Sequence, residues 1–127
     1  MEIRVYYEDT DVGGVVYYAN YLKFIERARS QPFFDLGKSP MSHEGHFVVK
    51  RVEADYFAPA RLGDLLTVRS FLVSLKGASF SLLQQVFKGE EKLFEARVTL
   101  AYLAGGNRPG KIPEPVRALV EEGFPRG

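Results

Sequence analysis

Ile3, Val5 and Tyr7 alternate with Arg4 and Tyr6, a period of two that predicts a short strand at the start of the chain. Beyond it, Glu8-Asp9-Thr10-Asp11-Val12-Gly13-Gly14 is acidic and glycine-rich, which suits a loop whose backbone turns sharply and approaches something closely. The period then changes. Tyr21, Phe24, Ile25 and Ala28 fall at i, i+3, i+4 and i+7 and predict the apolar face of a helix, with Lys23, Glu26, Arg27 and Arg29 opposite and Asn20 as its N-cap. Pro32 predicts a kink or restart, because proline removes a helical hydrogen bond and crowds the preceding turn, and Gly37 predicts the end.

After a polar, turn-rich stretch from Ser39 to Gly45, apolar alternation predicts four strands at 48–57, 64–75, 79–88 and 92–103. Pro59 to Asp64, Lys76-Gly77-Ala78 and Lys88 to Glu91 are turns short enough for antiparallel neighbours, so a meander is expected. Val116, Leu119 and Val120 mark one short amphipathic helix within 113–124. A long early helix followed by an antiparallel sheet buries its apolar side only if the sheet curls around the helix, which makes the class α+β. In the strand at 64–75, Leu66, Val68 and Leu72 alternate away from Phe71, Val73 and Leu75. One helix covers one face, so association with further copies is expected.

The chain has 127 residues, the size of one domain, with 105–127 as a peripheral tail. Its 17 Lys+Arg against 16 Asp+Glu leave a formal charge of +1, so no net field gathers nucleic acid or anionic lipid. Cysteine is absent, which excludes disulfides, thiolate nucleophiles and sulfur-ligated zinc and fits a reducing compartment. With no leader pattern and no apolar run long enough to cross a bilayer, the expectation is a cytoplasmic chain without membrane insertion.

Several motifs fail on chemistry. The calcium-loop start at Asp9 has Gly13 at its fifth position and Asn20 at its twelfth, losing a ligand and the bidentate carboxylate. The phosphate-loop spacing from Gly105 to Lys111 ends in Ile112 where Ser or Thr should hold magnesium, and Pro109 removes a donor. His43 and His46 are two nitrogens without a third, and Gly77-Ala78-Ser79-Phe80-Ser81 lacks the second glycine of a serine-hydrolase elbow. What remains is the acidic loop. Three carboxylates stand just before a helix N-terminus, where free N–H groups favour an anion, a pairing that suits acyl transfer. A solvated turn, with Asp9 or Asp11 capping local N–H groups, accounts for the same residues.

Tyr7-Glu8-Asp9-Thr10-Asp11-Val12-Gly13-Gly14-Val15-Val16-Tyr17-Tyr18-Ala19-Asn20-Tyr21, followed by Glu26-Arg27-Ala28-Arg29, resembles the opening signature of hot-dog-fold acyl-CoA thioesterases of the 4-hydroxybenzoyl-CoA type, including the short-chain enzymes associated with the Tol-Pal system. Val48-Val49-Lys50-Arg51 and Tyr56-Phe57-Ala58-Pro59-Ala60-Arg61-Leu62-Gly63-Asp64 resemble the family's second stretch, and the likeness runs to about Leu103. The resemblance implies that Asp11 is the catalytic carboxylate, as nucleophile or general base, and that the Tyr18 backbone N–H polarises the thioester carbonyl. It places an active-site tyrosine at Tyr7 and a coenzyme A contact around Lys76 and Ser79. Where many Tol-Pal-associated members carry His, this chain carries Tyr18, which removes a proton-shuttling side chain and leaves the backbone role intact.

The resemblance further implies hydrolysis of acyl-CoA without metal or cofactor. It implies a dimer joined sheet edge to sheet edge, commonly doubled to a homotetramer, with active sites between subunits. Two alternatives are a non-catalytic module that binds acyl-CoA or acyl-carrier protein on the same fold, and a hot-dog hydratase or dehydratase. The latter needs a His paired with the acid, and His43 and His46 lie outside the signature.

Overall fold

The computed structural model describes residues Met1–Gly127. Strand β1 (Glu2–Arg4) leads through a 3₁₀ turn (Tyr7–Asp9) and the glycine loop into helix α1 (Asn20–Asp35). Then come β2 (Met41–Ser42), β3 (Gly45–Tyr56), β4 (Leu65–Leu75), β5 (Ser79–Lys88), β6 (Glu91–Ala104), β7 (Arg108–Pro109) and helix α2 (Glu114–Gly123). The strands form one antiparallel sheet in the order β1-β4-β5-β6-β3-β2, with β7 also on β6.

Strands β4, β5 and β6 are the expected meander, but β3 lies on the far side of β6 instead of beside β4. The connection between β3 and β4 explains this: Phe57 and Ala58 donate their N–H groups to the Leu93 carbonyl, and Ala60 is clasped by Val16 N–H at its carbonyl and by the Tyr21 hydroxyl at its N–H. Those bonds commit the segment to the acidic loop, so it cannot close a hairpin. The glycine-rich stretch that imitates a phosphate loop is the β6–β7 turn, with Gly106 and Asn107 both at positive φ (77° and 59°).

Helix α1 begins one residue earlier than a capping Asn20 requires. Ala19 is the N-cap, and the Asn20 side chain instead donates to the Asp9 carbonyl at 2.9 Å. Pro32 neither ends nor restarts the helix, which runs to Asp35 and closes with Gly37 at φ 71°, its N–H on Phe34 O (2.9 Å) and Lys38 N–H on Phe33 O (2.8 Å). The apolar face is as expected, with Tyr21, Phe24, Ile25, Ala28 and Phe33 buried, but Arg29, expected on the opposite face, is half-buried and donates to the buried Gln84 of β5 at 3.4 Å.

The helix packs on Leu66, Val68 and Leu72 of β4, Leu82 and Val86 of β5, and Phe94, Ala96 and Val98 of β6, all buried. Two sequence expectations change here. A bulge between Leu72 and Ser74 pairs Leu75 with the buried Phe80, so Leu75 turns inward with Leu72 instead of outward with Phe71. The tail is not peripheral either, because Ile112, Val120 and Phe124 are buried in the same cluster and the Phe124 ring lies 6.2 Å from Phe33 and 6.1 Å from Phe80.

The uncovered apolar surface is elsewhere, on β3. Its helix-side residues, paired with Leu100, Val98, Ala96 and Phe94, are Val49, Val52, Ala54 and Tyr56, and α1 covers them only in part: Val49 and Tyr56 are each 47% exposed, although Tyr56 touches Tyr21. A curled antiparallel sheet holding one central helix is the hot-dog arrangement. No helix is long and apolar enough to cross a membrane.

Candidate active site

The loop bearing the carboxylates is held from inside by one of them. Asp9 is buried, its Oδ2 accepts the Tyr6 N–H at 2.9 Å, and its backbone carbonyl accepts both the Tyr17 N–H (3.1 Å) and the Asn20 side chain (2.9 Å). Asp9 therefore fastens the acidic loop to the start of α1. Asp11, two residues on, is exposed. Its Oδ1 accepts the Gly13 N–H at 2.8 Å and its Oδ2 has no partner in the chain. The turn is tight, with Gly14 N–H on Asp11 O (3.1 Å), Asp11 N–H on Val15 O (2.9 Å) and Gly14 at φ 76°, which favours glycine.

At the end of that turn the backbone N–H groups of Tyr18 and Ala19 have no acceptor in the chain, as is also true of Tyr21 in the first helical turn, while Asn20 N–H donates to Tyr17 O at 2.8 Å and Leu22 N–H to Ala19 O at 3.2 Å. Unpaired N–H groups at a helix start form a site for developing negative charge. Beside them lies an open groove of about 320 Å³ lined by Val16, Tyr18, Tyr21, Tyr56, Phe57 and Pro59. Tyr7, Asp11, Val12 and Leu62 line a separate depression of about 340 Å³. Asp11 and Tyr18 thus stand at two ends of one loop, bridged by the Thr10–Val16 pairing, without sharing a cavity in the single chain.

The aromatic groups were only partly visible in the sequence. Tyr7 and Tyr18 are both exposed, at 83% and 63%. The Tyr56 hydroxyl donates to the Tyr18 carbonyl at 2.9 Å, a contact across 38 residues that no local pattern announces. Burial, together with the neighbouring Tyr18 and Tyr21 hydroxyls, raises the Tyr56 phenol above its ordinary value of 10.0. Burial likewise raises Tyr21, partly offset by the Ala60 N–H that its oxygen accepts.

Lys76 and Ser79 do not join this site within one chain. They cap the β4–β5 turn, where Lys76 N–H donates to Ser79 O at 2.8 Å and the Lys76 carbonyl accepts from Arg117 at 2.8 Å. The acidic loop is tied to the other end of β4, through Leu62 N–H on Gly14 O at 3.1 Å. Between the two lie the residues Leu65–Leu75, roughly 33 Å of strand at about 3.3 Å per residue. At that far end, a cavity of about 260 Å³ lies between α1, the β2–β3 turn and the sheet, with Arg29, His46 and Phe47 among its walls. His46 is therefore remote from Asp11.

The model of the thioesterase superfamily matches residues 13–95. The chain is 48% identical over 87 residues to the acyl-CoA thioesterase YbgC of Helicobacter pylori, a stretch covering 68% of this chain and 65% of that protein's length. To the acyl-CoA thioesterase YbgC of Haemophilus influenzae it is 39% identical over 121 residues, covering 91% of this chain and 89% of the relative. Among solved structures, a probable thioesterase from Bartonella henselae superposes with a TM-score of 0.82 at 36% identity, covering 89% of this chain and 97% of that one. A family match spanning residues 13–95, with the helix start and acidic loop inside or beside it, settles membership: this chain belongs to the thioesterase superfamily.

Proposed function

We propose that the protein hydrolyses acyl-CoA thioesters to the free acid and CoA, with Asp11 carrying the chemistry. The observation that carries this reading is the pair of unpartnered N–H groups at Tyr18 and Ala19, at the end of a loop whose Asp11 keeps one carboxylate oxygen free. The YbgC relatives, named as acyl-CoA thioesterases, support the substrate class. Asp11 acts in one of two ways. Its free oxygen adds to the thioester carbon, the C–S bond breaks, CoA leaves as a thiolate that takes up a proton, and water hydrolyses the resulting anhydride. Alternatively, Asp11 takes a proton from a water whose oxygen adds to that carbon, and the same C–S bond breaks. In both, the carbonyl oxygen becomes an oxyanion beside the Tyr18 N–H. Tyr7, in the same depression as Asp11, presents its hydroxyl to the reacting group.

The working unit in this reading is at least a dimer paired through β3, commonly doubled to a tetramer. Two features of β3 support it. Its outer edge is unpaired beyond His46, and its side chains run basic then acidic, Lys50 and Arg51 before Glu53 and Asp55. Antiparallel pairing with its own copy about Val52 sets Arg51 against the copy's acidic end, whereas parallel pairing sets like charges together. The same two-fold brings the Phe47 end of one protomer, with its 260 Å³ cavity and the side of the sheet that carries Lys76 and Ser79, toward the Tyr56 end of the other.

The test is a panel of short, medium, long and aromatic acyl-CoAs with release of free thiol as the readout. On the best substrate, Asp11→Asn should lose about 10²–10⁴ in kcat with mass and fold intact. If Asp11→Asn stays within a few-fold of wild type, Asp11 is a loop cap. Wild type that retains acyl-CoA without turnover would make the protein a binding module instead.

A further inference from the structure

Two consecutive peptide groups precede α1, and each is held by its carbonyl while its N–H stays unpartnered. In the first, the Tyr17 carbonyl accepts the Asn20 N–H at 2.8 Å and the Tyr18 N–H is free. In the second, the Tyr18 carbonyl accepts the Tyr56 hydroxyl at 2.9 Å and the Ala19 N–H is free. Peptide planarity and the trans arrangement make the direction of a carbonyl set the direction of its own N–H, so whatever fixes Tyr18 C=O aims Ala19 N–H. The first anchor is local backbone. The second comes from the last residue of β3.

We infer that Tyr56 is a positioning residue for the thioester site: its hydroxyl aims and polarises the Tyr18–Ala19 peptide so that Ala19 N–H acts with Tyr18 N–H on the carbonyl oxygen of the substrate. The inference rests on the hydrolytic reading above. Tyr56 suits the task because its ring is fixed on several sides. It packs edge-on to Phe94, its cross-strand partner, at 4.9 Å and 68°, and to Tyr21 on α1 at 5.5 Å and 83°. A rigid ring places the hydroxyl without further ordering, and donation to a peptide carbonyl strengthens the same peptide's N–H as a donor. Tyr56 also lies where the open β3 edge meets the groove at Tyr18, so the edge and the chemistry share a residue.

Tyr56→Phe keeps the ring and removes only the hydroxyl. Deleting a direct oxyanion donor costs ~10²–10³ in rate, and losing the alignment of one of two should cost less, roughly tenfold in kcat, with KM changed less than about twofold. A merely structural role would lower the melting temperature and move KM, not split kcat from KM. A second readout does not need turnover: the infrared carbonyl band of a bound acyl-CoA analogue in which CH₂ replaces the thioester sulfur. It should lie below its free position in wild type and in Asp11→Asn, and move back toward it in Tyr56→Phe. Tyr56→Leu, which also removes the ring, should be less stable than either. If Tyr56→Phe keeps kcat within twofold and leaves the band unmoved, Tyr56 only lines the groove. If wild type turns over no acyl-CoA yet the band moves as described, the hydrolytic reading fails and the positioning survives. If wild type leaves the band at its free position, the positioning fails whatever the turnover.

Discussion

Along its β4 edge the sheet is sealed by both chain ends, whereas along β3 it is left open. On the β4 side, β1 pairs Glu2–Arg4 with Leu65–Thr67, and Met1 exchanges two bonds with Val68, accepting its N–H at 2.8 Å and donating its terminal ammonium at 3.0 Å. Further along, the last residues take over, with Leu72 N–H on Pro125 O at 2.7 Å and Gly127 N–H on Leu72 O at 3.3 Å. On the β3 side, β2 reaches only Gly45 and His46, and no strand pairs the outer edge from Phe47 to Tyr56. A long exposed edge with apolar side chains is a template for another strand. The contrast sets an edge closed by the chain's own residues against one left free for the pairing proposed above. Tyr56, at the end of the open edge, also touches Tyr18.

The largest effect expected from breaking the contrast is on the sealed side. Phe124 is 2% exposed and anchors the tail between Phe33 and Phe80. Phe124→Ala should destabilise by about 3–5 kcal/mol, a large share of the ~5–15 kcal/mol typical of a domain. Urea unfolding followed by circular dichroism measures this. A loss under about 1 kcal/mol would mean that the tail is a removable flap and that β4 needs no such seal.

Next comes the open side. Val52 is 38% exposed on the concave face and near the middle of the unpaired edge. If two copies pair there about a two-fold axis, Val52→Glu sets like charges against each other. Hydrolysis should fall by about 10²-fold, ~2.7 kcal/mol, and light scattering should give a 14.3 kDa species with unchanged circular dichroism. Wild-type mass and activity in this variant would detach the open edge from function.

Much of this was legible in the chain because it is local. The i, i+3, i+4, i+7 spacing from Tyr21 gives the buried face of α1, alternation from Phe94 to Tyr102 gives β6, and the acidic loop with its glycines stands where the turn is. Two of the misses share a physical cause, which is that bonds from elsewhere in the chain override local preference. Asn20 has the side chain of a cap, yet the Asp9 carbonyl claims it. Pro59 and Gly63 look like a hairpin turn, yet Ala60 is held by Val16 and Tyr21 and sends the chain across the sheet. The bulge after Leu72 reverses Leu75, and nothing in the apolar pattern marks it. The candidate site divides the same way: Asp11 stands in one contiguous loop, whereas Tyr56, though in a quoted stretch, meets Tyr18 only through a contact across 38 residues that the pairing of β3 with β6 sets up.

The smallest effect concerns the corner where the sealed edge begins. Asp64 precedes β4, its carbonyl accepts the Val5 N–H at 2.9 Å, Oδ2 accepts the Arg61 N–H at 2.8 Å, and Oδ1 meets the Lys88 ammonium at 3.1 Å. Burial pulls the Asp64 carboxyl upward, but the Arg61 N–H and Lys88 outweigh it and hold it below its ordinary value of 3.8. A depressed carboxyl contributes stability above its unfolded value and loses it as pH falls through the lower folded value, so the contribution is complete at pH 7 and fades below about pH 4. Lys88 is half exposed and solvent screens the pair, which keeps the contribution under about 1 kcal/mol. Asp64→Asn should therefore unfold at slightly lower urea than wild type at pH 7, and the two curves should converge toward pH 2. Glu95, held low by Gln85 and Lys92, titrates in the same direction in both proteins and cancels from the difference. A gap that persists at pH 2 would trace the effect to the shape of the Arg61–Asp64 turn, and the corner would then be held by geometry instead of charge.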